Sequence, residues 1–207
     1  MRLISAVPLL LAAALLASCQ SKHQGASGDS ALCAPYGAAQ LANMNAEAQV
    51  AWLTQRIDEC KLDKTARAND FYNRGTAQLE MKRYDLAAAD ADATLKILPQ
   101  DSRAFALRCL ARMGLTENDA AVVDCQQAAT LSSNNPVMLA LYGKAQARNG
   151  QPQAALETLR TAAKNPEALK AIQQELADKG YYNGAVDGVY GKGTEGALKT
   201  WIAAGAP

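Results

Sequence analysis

"FYNRGTAQLEMKRYDLAAADADATLKILP", residues 71–99, decides how this chain folds. When the sequence is compared with itself at a shift of 34 positions, small residues from this stretch coincide with later ones. Gly75, Cys109 and Gly143 fall together, as do Ala77, Ala111 and Ala145, and Ala87, Ala121 and Ala155. Phe71, Phe105 and Leu139 form a large apolar column; Ala91, Cys125 and Leu159 form another, and Thr94, Ala128 and Ala162 a sixth. A period of this length with small residues at fixed places is the mark of two antiparallel helices per unit, packed closest where side chains are smallest. Composition agrees. Hydrophobic residues make up 49% and aromatic residues only 5%, which suits Ala/Leu-rich helices better than a β-sandwich.

The stretch resembles a tetratricopeptide (TPR) repeat: Phe71, Gly75, Tyr84, Ala87 and Pro99 stand at that family's expected columns. Weaker copies follow, with Cys109 in place of the helix glycine and Ser133 in place of the late proline. The expected fold is all-α, a stack of three TPR-like hairpins over 67–164 (68–101, 102–135 and 136–164). Ahead of it, 34–66 is expected to form N-terminal capping helices, with Val50, Leu53 and Ile57 on one face. By the resemblance, the first helix of each unit lines a groove for a protein or peptide partner. The matching positions are Asn69, Tyr72, Thr76, Leu79, Arg103, Ala106, Leu110, Met113, Val137, Ala140, Lys144 and Ala147. The alternative is a plain solvated face.

Cys109 and Cys125 lie symmetrically about Glu117 in the turn "GLTEND", so antiparallel helices set them opposite each other. A Cys109–Cys125 disulfide is the expectation, which leaves Cys33 to pair with Cys60; the alternative is a pair of free buried thiols at 109 and 125.

Residues 165–207 read as a further small module. Asn165 and Pro166 open a helix with Leu169, Ile172 and Leu176 on one face, Gly180 ends it, and Asn183-Gly184 and Asp187-Gly188 mark turns before a second helix near Thr194. This order resembles the peptidoglycan-binding module found on wall-associated hydrolases. The matching residues include Tyr181, Gly184, Asp187, Gly188, Tyr190, Gly191 and Thr194, with Trp201 beyond them. Peptidoglycan is the ligand that the resemblance implies. Most of these residues have structural reasons to be present, such as glycines at positive φ and Asp or Thr bonding local amides. Because the family continues past its second helix, the module is expected to lean on the third repeat, with 166–179 as the polar-faced cap such stacks require.

At the other end, residues 1–18 carry one cation, Arg2, then an apolar run, as a secretory leader does. Leu16-Ala17-Ser18-Cys19 resembles the bacterial lipobox, which makes Cys19 the expected lipidation (palmitate-bearing) site and membrane anchor, with 19–33 as a flexible tether. Gln20 after the cysteine points by that resemblance to the outer membrane, facing the periplasm, in a Gram-negative source.

Several functions lose support. The net charge is +1, from 21 Lys+Arg and 20 Asp+Glu; loss of the leader with Arg2 leaves 20 of each, so no basic footprint for nucleic acid exists. The single histidine, His23, lies in the tether, and no metal, phosphate or triad motif appears. Asp90 and Asp92, two apart on a helix, point away from each other and read as solvated charges. No catalytic residue, cofactor or metal is expected.

Overall fold

The computed structural model describes residues 31–207. The leader, Cys19 and the tether as far as Ser30 lie outside the described residues. The described chain is all helical: α1 (Ala38–Ala42), α2 (Ala46–Glu59), α3 (Lys64–Glu80), α4 (Tyr84–Ile97), α5 (Ser102–Gly114), α6 (Asn118–Leu131), α7 (Pro136–Arg148), α8 (Pro152–Ala162), α9 (Pro166–Asp178) and α10 (Lys192–Ala203). Three hairpins, α3–α4, α5–α6 and α7–α8, stack in sequence. The first helix of each touches the first helix of the next, and α9 continues that row while α10 packs on α8.

The repeat is written in its helix ends. Each first helix starts on an Asx cap: Asp63, Asp101 and Asn135 accept from the amides of Ala66, Arg103 and Val137, and Asn165 does the same for α9 through Ala168. Each hairpin turns through one left-handed residue, Lys82, Thr116 or Gly150, with φ of 57°, 61° and 69°. The next amide reaches back five residues at 2.9 Å each time: Arg83 to the Gln78 carbonyl, Glu117 to Arg112 and Gln151 to Gln146. This is a Schellman closure repeated at 34-residue intervals.

The small-residue columns mark close crossings. A Cβ on Gly75 would stand 2.8 Å from Leu107 Cδ2, and one on Gly143 would stand 2.6 Å from Leu159 Cγ. At the equivalent place in the middle hairpin, Cys109 bonds Cys125 across the helix pair, and a second disulfide joins Cys33 to Cys60. Both expected pairings are present. The cross-links close loops of 16 and 27 residues, for which lost unfolded-state entropy contributes about 3 kcal/mol each. Replacing Cys109 and Cys125 together by Ala should therefore lower the urea midpoint by an amount equivalent to about 3 kcal/mol. A loss below roughly 1 kcal/mol would show that packing alone holds that hairpin.

One sequence expectation is corrected. Asp90 is buried, and it accepts two hydrogen bonds from Arg74 at 2.9 and 2.7 Å; Asp124, one period later, receives the same pair from Arg108 at the same distances. Asp92 is exposed and pairs with Arg108 at 2.5 Å. Neighbours two apart on a helix do diverge, so Asp92 faces out while Asp90 turns inward, onto a guanidinium of the preceding helix. In each case that arginine also lies over the Phe one turn before it, Phe71 or Phe105.

At the N-terminal end, residues 31–37 form a strap across α2 and α3, so the last residues assigned to the tether are pinned there by the Cys33–Cys60 bond. Arg56 is the centre. It donates to Asp70 at 3.0 Å, to the Leu32 carbonyl and to the Ala34 carbonyl at 2.9 Å, and lies 4.8 and 4.9 Å from the rings of Tyr36 and Trp52, which meet edge to face beside it.

Candidate functional site

Two surfaces carry the residues singled out by sequence. The first is the face of α3, α5 and α7. Three concavities of about 410, 300 and 270 Å³ adjoin along it, sharing Arg103 at one junction and Leu110, Val137 and Leu141 at the other. Asn69 and Arg103 line the first. Tyr72, Thr76, Leu79, Ala106, Leu110 and Val137 line the second, and Ala140 and Lys144 line the third. Met113 and Ala147 do not reach the groove: both are buried, Met113 beside the Cys109–Cys125 bond and Ala147 in the core below. Arg103 covers the Tyr72 ring at 4.8 Å and pairs with Asp101 at 2.7 Å.

The far end of this groove is not made by the repeats alone. Ala171, Ile172 and Glu175 of α9 and Trp201 of α10 wall its third concavity, and Lys144 pairs with Glu175 there. Sequence reasoning named Ile172 and Trp201 only as parts of the C-terminal module and left Ala171 and Glu175 unmarked, because the resemblance assigned 165–207 to a module of its own. Two signals pointed this way: the expectation that the module leans on the third repeat, and the Asn-Pro start that α9 shares with α7, the first helix of a hairpin.

The second surface belongs to α9, α10 and the loop between them. Gly180, at φ +77°, ends α9; the Tyr181 amide reaches the Leu176 carbonyl at 2.8 Å, closing the helix as the hairpins are closed. The loop is then organised by one buried side chain, Gln173. Its Oε1 accepts from the Gly188 amide at 2.8 Å, and its Nε2 stands 3.2–3.3 Å from Asp187 Oδ1, the Val189 carbonyl and Thr194 Oγ1. Asp187 also accepts from the Val189 amide at 2.9 Å. That amide first, and the Gln173 amide second, hold its carboxyl below the usual carboxylate range. Gly188 needs its lack of a Cβ, since its φ is +73° and a Cβ would lie 2.8 Å from the Pro166 carbonyl. Gly184 leaves room for the Tyr182 ring, whose hydroxyl donates to the Ala185 carbonyl at 3.0 Å. Gln173→Leu removes every one of Gln173's bonds and leaves the half-buried Gly188 amide without that partner, so it should cost about 2 kcal/mol. Faster amide exchange across 183–191, with α9 still protected, is the accompanying signature.

The motif residues therefore separate by role. Thr194 and Trp201 are buried, Tyr181 is half-buried against the core, and Asp187, Gly188 and Gly184 shape the loop. Tyr190 and Gly191 are exposed, as are Val186 and Val189. Trp201 belongs to a core formed jointly by Ala155, Leu159 and Ala162 of α8, Ile172 and Leu176 of α9, and Ala197, Leu198 and Ile202 of α10. The third hairpin and the module share one interior.

Residues 165–201 match the family described as "Putative peptidoglycan binding domain". The matched region spans α9, the Gln173-centred loop and most of α10. No curated protein and no solved structure matches the chain.

Proposed function

We propose that this protein is an exported, non-enzymatic envelope lipoprotein that holds peptidoglycan through residues 165–207 and a protein partner through its TPR-like groove. Cys19 is the lipid anchor in this reading, and the outer membrane facing the periplasm is the location in a Gram-negative cell. The match over residues 165–201 carries the wall-binding part. The groove part rests on the three adjoining concavities along α3, α5 and α7. A lipid tether beside a wall site raises the effective concentration of each for the other, so a weak wall site suffices.

A second reading keeps the partner groove and makes the C-terminal segment only a cap on the stack; the shared core around Trp201 favours that capping role. Co-sedimentation of the chain from Gln20 to Pro207 with purified sacculi tests the proposal. Saturable pelleting supports wall binding, whereas protein that stays in the supernatant at every sacculus concentration leaves the capping reading. Deleting 165–207 is a poor comparator, because it strips the cover from Ala155, Leu159 and Ala162. Release of soluble glycan fragments by the pure protein would overturn the non-enzymatic part.

A further inference from the structure

The geometry points to the seam between α8 and α10 as a site for carboxylate-bearing peptidoglycan stem peptides, completed by Arg160 of the third hairpin. The inference rests on the wall-binding reading above and adds where the ligand sits. Arg160 lies outside the matched residues 165–201, so the family match does not assign it.

The site begins with a carboxylate that three donors share. Glu195 accepts from Arg160 Nε at 3.1 Å and also from its Nη2, from the Tyr190 hydroxyl, and from Lys199 Nζ at 3.0 Å. Arg160, then Tyr190 and Lys199, hold the Glu195 carboxyl down to about 2. Two cations around one anion leave the cluster with a charge of +1. Arg160 has five N–H donors and Lys199 three, and both side chains are about half exposed. Donors not used on Glu195 can receive a second carboxylate.

Two features next to this charge fit the rest of such a ligand. A cleft of about 160 Å³ opens between Pro152, Gln153 and Leu156 of α8 and Lys199, Ile202 and Ala203 of α10. Lys199 belongs both to this cleft and to the cluster around Glu195, and Leu156 lies one helical turn before Arg160. An apolar cleft this small takes a short alkyl side chain, which suits the small residues of a stem peptide. At the same carboxylate, Tyr190 is 37% exposed and its hydroxyl is fixed by Glu195. A ring so held offers a flat apolar face at little entropy cost to the C–H face of a sugar. The loop that carries it is anchored by buried Gln173, so the platform is formed before the ligand arrives.

The test measures binding of soluble peptidoglycan fragments, released from sacculi by a muramidase, to the Gln20–Pro207 chain and three variants. Arg160→Ala should weaken binding roughly three- to tenfold and flatten its salt dependence. Tyr190→Ala should weaken it about fivefold. Glu195→Gln is the discriminating variant: it takes the charge out of the α8–α10 link that Arg160→Ala removes, and so frees both cations. The proposal expects binding equal to or tighter than wild type, while a merely structural link expects a loss like that of Arg160→Ala. Wild-type binding that none of the substitutions changes, or that Arg160→Ala and Glu195→Gln lower alike, overturns the seam site and leaves the wall-binding reading standing. If the wild-type chain binds neither fragments nor sacculi, the wall-binding reading fails and the seam site with it.

Discussion

Trp201→Ala should destabilise the protein by about 3–5 kcal/mol, the range for removing a large aromatic side chain from a well-packed interior. Trp201 is 2% exposed and touches a core drawn from α8, α9 and α10, so the loss falls on the third hairpin and the module together. Repeat stacks are stabilised mainly between neighbours. The C-terminal unit should therefore melt first, and urea unfolding followed by circular dichroism should split into two steps. The first step should report α7 to α10, and the second the two hairpins before them, α3–α4 and the disulfide-bonded α5–α6. A loss confined to the module, with α7 and α8 still protected from exchange, would show that the segment is appended to the stack and not built into it.

Arg56→Ala should cost a similar amount, about 3–5 kcal/mol, at the opposite end. Arg56 and Asp70 are 2% and 1% exposed. Deleting the guanidinium leaves a buried carboxylate with only the Tyr36 hydroxyl, which donates to it at 2.8 Å, and releases the strap carbonyls of Leu32 and Ala34. Replacing both partners by apolar residues of similar volume, as in Arg56→Met with Asp70→Leu, should recover much of that loss, because no uncompensated charge then remains. Equal destabilisation by the single and the double change would contradict an electrostatic origin.

The same cluster sets an alkaline limit. Burial, with Asp70 helping and the Asn73 and Arg56 contacts opposing, pushes the Tyr36 hydroxyl up to about 12 from 10.0. The folded state thus holds this proton more tightly than the unfolded chain. Its contribution to stability is complete below pH 10 and is lost as pH rises from there through about 12.

The hairpin stack was legible because close helix crossings tolerate only small side chains. That constraint left Gly75, Cys109 and Gly143 in one column, and the disulfide at 109 and 125 followed from the turn between them. The Arg74–Asp90 and Arg108–Asp124 pairs were equally periodic, yet they went unread. Asp90 looks solvated when judged against Asp92 on its own helix, and only its neighbour across the hairpin shows why it is inside. Gln173 was also unmarked, since nothing local distinguishes a glutamine that gathers a loop from one in water. That the module leans on the third repeat was expected, but the motif describes α9 and α10 alone, so it did not name the α8 residues Ala155, Leu159 and Ala162 that share the core with Trp201. For the same reason Arg160 entered as a binding residue only once α8 and α10 were seen side by side.

The most direct test of wall contact at the C-terminal unit is hydrogen exchange on the Gln20–Pro207 chain, with and without soluble peptidoglycan fragments. Added protection is expected in residues 182–199 and in α8 around Leu156 to Arg160, with α3 and α5 unchanged. Protection along the α3–α5 groove, or none anywhere at fragment concentrations where whole sacculi pellet the protein, would contradict it.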